Sequence, residues 1–92
     1  MRVRLFATLI EVAGRREVNI SGVRTVRDLI EKLSKMYGDS FKNRIYVDAG
    51  RKRVKPGVVI LVNGKSIYHL NGLDTELKEE DTVSIFPPVA GG

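Results

Sequence analysis

The chain predicts a two-layer α+β domain, with one main helix packed on one face of a mixed sheet of four to five strands. Three observations carry this: period-two alternation near both ends, one helical apolar stripe between them, and a continuous apolar run that stops at Asn63-Gly64. At 92 residues there is room for one small core and no second domain.

Residues 2–9 alternate, with Val3, Leu5, Ala7 and Leu9 on one face and Arg2, Arg4, Phe6 and Thr8 on the other, the pattern of a half-buried strand. After a break at Glu11–Gly14, Glu17-Val18-Asn19-Ile20 returns as the second strand of a hairpin. Thr25 opens a helix as its N-cap, with Asp28 completing a capping-box variant. Val26, Leu29, Ile30, Leu33, Met36 and Tyr37 form its buried stripe, and Gly38 stops it. Phe41, Ile45, Tyr46 and Val47 read as a short apolar segment tucked against the core. The basic run Arg51-Lys52-Arg53-Val54-Lys55, bounded by Gly50 and Pro56-Gly57, reads as a loop.

Val58 to Val62 is apolar throughout, which predicts a strand covered on both faces or nearly so, and Asn63-Gly64 is a tight-turn signal. Lys65-Ser66-Ile67 suits a brief return strand, and Asn71–Thr75 a turn. Leu77 is an anchor before the polar turn Lys78–Asp81. Thr82 to Phe86 forms the last strand, with Val83 and Ile85 facing inward. Pro87-Pro88 ends it by removing two backbone donors and fixing φ.

Parity puts Phe6 and Phe86 on the face away from the helix. A single exposed aromatic is ordinary. Two that converge, if the first and last strands are neighbours, make an apolar partner surface beside the chain's tail.

Composition narrows the chemistry. The chain has no cysteine, which excludes disulfides, thiolate metal sites, iron–sulfur ligation and a persulfide on a side chain. Its one histidine, His69, leaves no conventional Ser-His or Cys-His pair, and no metal site is expected. No apolar stretch approaches the roughly 18 residues of a membrane span, and Met1-Arg2-Val3-Arg4 has no leader-like apolar block, so a cytoplasmic protein is expected. The net charge of +5 raises the question of an acidic partner. The basic run suits a solvated loop, a contact for an acidic protein, or a nucleic-acid contact. Nucleic acid is disfavoured, because the run holds no aromatic to stack on a base and no helix to enter a groove.

The chain ends Val89-Ala90-Gly91-Gly92. Residues 1–86 are expected to form the domain and 87–92 an extended tail of polyproline type. A glycine carboxylate at such a tip can enter a channel too narrow for a Cβ, under whatever φ and ψ the channel imposes. An ordinary frayed terminus is the alternative.

The ββαββ order, the Val62-Asn63-Gly64 turn, the segment Leu73 to Val83 and above all Phe86-Pro87-Pro88-Val89-Ala90-Gly91-Gly92 resemble the β-grasp, ubiquitin-like sulfur carriers. The MoaD family, the small subunit of molybdopterin synthase, is the nearest likeness. The thiamin-pathway ThiS proteins and the archaeal small modifiers are related. The resemblance implies a carrier that is not itself an enzyme and binds no cofactor.

It further implies that an E1-like (MoeB-like) adenylating enzyme uses ATP to activate Gly92, and that a sulfur donor protein then converts it to a thiocarboxylate. The sulfur would pass to a pterin precursor on a MoaE-like large subunit, in a heterotetramer, during molybdenum cofactor biosynthesis. In this reading Gly92 is the acyl site and Gly91 gives threading clearance. Phe6, Phe86, Pro87, Pro88 and Val89 are the partner-binding residues. The alternatives are a ubiquitin-like modifier joined to lysines through Gly92, and a carrier for thiamin or tRNA thiolation. The stretch Tyr46 to Gly57 is longer than in compact bacterial carriers.

Overall fold

A computed structural model of the chain describes residues 1–47 and 53–88. In chain order these hold strand β1 (Arg2–Leu5), helix α1 (Thr8–Ala13), β2 (Glu17–Asn19), α2 (Val26–Tyr37) and α3 (Asp39–Ile45). Strands β3 (Val59–Val62) and β4 (Lys65–Ser66) follow, then 3-10 turns at Ile67–His69 and Gly72–Asp74, and β5 (Thr82–Phe86).

The strands form one mixed sheet in the order β2-β1-β5-β3-β4. At its centre β1 and β5 run parallel, with Val3 opposite Val83 and Leu5 opposite Ile85. The β1–β2, β3–β4 and β3–β5 pairs are antiparallel. Ile20 N extends the first hairpin by donating to Met1 O at 2.9 Å. Asn63 at φ 51° and Gly64 at φ 86° form the turn between β3 and β4, both in the left-handed region that a two-residue hairpin requires.

Helix α2 lies against the inner face of the sheet. Thr25 caps it as expected: its Oγ1 accepts from Asp28 N at 3.2 Å, while Asp28 Oδ2 accepts from Arg24 N at 3.3 Å, one residue earlier than a standard box. Val26, Leu29, Ile30 and Leu33 are fully buried. They meet Val3, Leu5, Ile60, Val83 and Ile85 from the strands in one continuous core. The segment 75–77 is tied alongside the start of α2, since Thr75 O accepts from Val26 N (3.0 Å) and Leu77 N donates to Arg24 O (2.8 Å). Leu77 is buried, as its anchor role requires.

Several expectations are corrected. The first strand ends at Leu5, not at residue 9. Ala7 adopts φ 52°, and Thr8–Ala13 turns into a helix that drives Leu9 into the core. Asp39–Ile45 is also helical, with Phe41 and Ile45 fully buried, so two short helices that the sequence did not reveal accompany the one main helix among the described residues. Met36 and Val47 are exposed. The run from Val58 is covered on one face only: Ile60 and Val62 are buried, whereas Val59 is 42% exposed. The return strand is two residues long and passes directly into a 3-10 turn.

Candidate functional site

The parallel pairing of β1 with β5 decides where the two phenylalanines go. Leu5 and Ile85 are partners on the core side, so the next residue of each strand faces outward at the same level. Phe6 and Phe86 stack there with ring centroids 4.1 Å apart and planes inclined by 15°. Such a pair contributes about 0.5–1.5 kcal/mol beyond the area it buries. The guanidinium carbon of Arg4 sits 5.5 Å from the centre of the Phe6 ring, within cation–π range.

Antiparallel pairing across β5 extends this patch. Val59 is the register partner of Phe86, and Leu61 that of Ser84. Val59, Phe86 and Phe6 thus form an apolar row across three neighbouring strands on the helix-free face, with Leu61 beside it. Sequence reasoning missed Val59 and Leu61 because it covered both faces of β3. The findable signal was parity: with Ile60 and Val62 inward, the residues between them must face out.

The row ends where β5 leaves the sheet. Pro87 is buried and Pro88 half-buried, so the stem is anchored at its root. Gly57 lies beside it: a Cβ there would stand 3.5 Å from Pro88 Cβ, and its φ of 91° is one that side chains disfavour. Val89, Gly91 and Gly92 fall outside the described residues, as do Arg51 and Lys52 of the basic run.

Asn63 and Asp81 lock the opposite end of β5. Asn63 N donates to Thr82 O (2.8 Å), Thr82 N donates to Asn63 Oδ1 (2.9 Å), and Asn63 Nδ2 donates to Asp81 Oδ1 (2.9 Å). The backbone N–H of Lys78, 2.8 Å from Oδ2, does most to hold the Asp81 carboxyl below the usual carboxylate range. Partial burial opposes this, and the Asn63 amide reinforces it. On the helix side, burial first and then the charge of Glu31 push the Tyr46 hydroxyl up.

His69 is exposed, its ring edge-on to Tyr68 at 6.2 Å. Among the described residues no three His, Cys, Asp or Glu side chains are grouped to hold a metal ion, and no helix is long and apolar enough to cross a membrane.

A mixed sheet with parallel central strands, wrapped on one face around one long helix, defines a ubiquitin-like β-grasp domain. Its outward aromatic row stands next to the root of the tail. The chain belongs to the ThiS family, whose model matches residues 3–92. It is similar to small archaeal modifier protein 3 of Haloferax volcanii, at 39% identity over all of this chain and 98% of that protein. The solution structure of small archaeal modifier protein 1 from Methanosarcina acetivorans superposes with a TM-score of 0.84 at 39% identity, covering 99% of this chain and 94% of that one. A Pyrococcus furiosus structure described as a candidate molybdopterin converting factor, subunit 1, has a TM-score of 0.70 at 35% identity, covering 96% of this chain and 95% of that one.

Proposed function

We propose that this protein is a ubiquitin-like modifier that works through the carboxylate of Gly92 and that the same activated end can carry sulfur. The observation that carries the reading is the end-to-end similarity to two small archaeal modifier proteins of Haloferax volcanii, 39% and 32% identical over the whole of this chain.

A carboxylate is a poor acyl donor, so a partner enzyme must first activate it. A Gly92 carboxylate oxygen attacks the α-phosphorus of ATP, pyrophosphate leaves, and an acyl adenylate forms. A lysine Nζ of another protein then attacks the acyl carbon, AMP departs, and an isopeptide results. Alternatively the outer sulfur of a donor protein's persulfide attacks the same carbon, AMP departs, and a thiol then cleaves the resulting acyl disulfide, leaving the thiocarboxylate on Gly92 and a disulfide between that thiol and the donor. Dividing the transfer in two lets each step use a good leaving group. The chain's own part is positional: the Phe6–Phe86 row docks on the activating enzyme, Pro87 and Pro88 hold the stem, and Gly91 and Gly92 pass into the enzyme's channel. Docking makes the encounter of the carboxylate with ATP effectively intramolecular.

The experiment joins two mass measurements. Tryptic digests of cell protein should contain acceptor lysines branched with the remnant Glu79–Gly92, which follows the last Lys or Arg of the chain. Incubation with the activating enzyme, ATP and a sulfur source should add about 16 Da to the intact chain, the sulfur-for-oxygen exchange that follows adenylation. A chain that yields neither product defeats the reading.

Similarity to the Pyrococcus furiosus protein favours a second role, as the small subunit of a molybdopterin synthase. A tight complex with a pterin-binding large subunit, and sulfur transfer from the thiocarboxylate to its pterin, would establish that role. Lack of any such complex would leave the modifier alone.

A further inference from the structure

A groove of about 640 Å³ opens on the helix side of the sheet, away from the phenylalanine row. Ile60, Ile67 and Leu73 make its apolar floor, and Arg27, Arg53 and Lys55 stand along its rim. No carboxylate lines it among the described residues. Arg27 is engaged by Asp74 at 3.3 Å, but neither Arg53 nor Lys55 forms an ion pair among the described residues. Tyr68, 90% exposed, forms a wall of the groove.

We propose that this groove docks an acidic peptide segment of a partner protein, with one aliphatic or aromatic side chain seated on the floor and flanking carboxylates on Arg53 and Lys55. Charge complementarity selects the occupant. The rim is cationic, the chain carries a net +5, and an apolar floor with cations at its edge rewards a ligand that is both anionic and greasy. The volume falls within the roughly 300–1,000 Å³ of ordinary binding clefts. Nucleic acid fits less well: three lining cations, one of them already paired with Asp74, are few for a phosphate backbone, and the one aromatic ring offers stacking for a single base.

Placement gives the groove its use. Gly57 belongs to its lining and also abuts Pro88, so the groove lies beside the root of the tail. Ile60 faces the groove while its neighbours Val59 and Leu61 face the opposite side. A partner can therefore hold the domain by the groove while the phenylalanine row stays free. This surface is distinct from the one used for activation, and it stands or falls independently of that reading.

The test is a titration of the ¹⁵N-labelled chain with a capped hexapeptide, Glu-Asp-Leu-Phe-Asp-Glu, at low ionic strength. The expected shifts fall at Ile60, Ile67 and Leu73, with Phe6 and Phe86 unmoved. Reversing both rim charges (Arg53→Glu, Lys55→Glu) should weaken binding by about tenfold or more, because rim charges act mainly through association and salt sensitivity. Replacing the peptide's Leu and Phe by Ser should weaken it comparably. Both rim side chains are at least partly exposed, and an unchanged circular dichroism spectrum confirms that the double variant folds.

Absence of shifts overturns the proposal, as do shifts at the phenylalanine row. Equal binding of the Ser peptide reduces the effect to charge alone and also overturns it. Tighter binding of an eight-nucleotide oligouridylate at the same residues would assign the groove to nucleic acid instead.

Discussion

Phe86 stands in the middle of the outward apolar row, and one substitution there tests the docking role proposed for it. Its ring stacks on Phe6 and stands opposite Val59, so Phe86→Ala removes the middle of the apolar row. Affinity for the activating enzyme should fall by about 1–3 kcal/mol, the range of an interface hot spot, as read by calorimetry. An unchanged dissociation constant would restrict the ring to a structural role. Asp81 gives a prediction of a different kind. Its folded-state pKa lies below the unfolded value, so its contribution is fully present above the unfolded pKa and is lost as pH falls through the folded one. Asp81→Asn should therefore lower stability at neutral pH by less than about 1 kcal/mol, because the site is largely solvated. It should also flatten the dependence of Tm on pH in the acid range. A Tm-versus-pH curve parallel to that of the parent would remove Asp81 from the acid response. The outward positions of Phe6 and Phe86 were legible from parity alone, since each sits one residue beyond a clear inward aliphatic. Their contact was not legible, because it depends on β1 and β5 being parallel neighbours, a long-range pairing that no local pattern encodes.

Among the elements, α2 was the most legible, because cap, stripe and stop all agree within one stretch of sequence. Thr25→Ala should cost about 0.5–2 kcal/mol in chemical denaturation by orphaning the Asp28 N–H, and Thr25→Ser should recover most of it. Equal losses in the two variants would show that the hydroxyl is not the operative group. The two short helices were hidden for opposite reasons. In α1 the residues Phe6 to Leu9 fit strand alternation as well as a helical spacing of Leu9, Val12 and Ala13, and the left-handed Ala7 that decides between them carries no sequence signal. In α3 only Phe41 and Ile45 are fully buried, and two positions do not establish a period. Strand β3 is less covered than its sequence suggests because an unbroken apolar run cannot distinguish two covered faces from a core face backed by an exposed apolar one. Gly57 tests the link between this region and the tail. Its φ of 91° makes Gly57→Ala strained, while the added methyl would make only ordinary contact with Pro88. The expected loss is about 1–2 kcal/mol, the cost of left-handed backbone for an L-residue. A neutral result in denaturant would mean that this turn relaxes freely.

On the scale of the whole molecule, fold and chemistry are separable. The hydrophobic core cluster runs from Met1 to Ile85, and beyond it only Pro87 is buried among the described residues. Deleting Gly91 and Gly92 should therefore leave the thermal unfolding curve unchanged and abolish both conjugation and sulfur loading. A large fall in Tm would make the terminus part of the fold. The absence of cysteine sharpens the sulfur assay, since any thiol-type alkylation that appears after loading must be on the carried sulfur. The placement of β5 has a mechanical meaning as well. The strand that leads into the tail is held on both sides, by β1 and by β3. Force applied through an isopeptide at the tail would draw β5 along its own axis between two ladders and load their hydrogen bonds together rather than one after another. Resistance to such a pull depends on the unfolding rate rather than on equilibrium stability. If the chain is conjugated as proposed, a pull on the protein joined to it would reach both ladders of β5 at once.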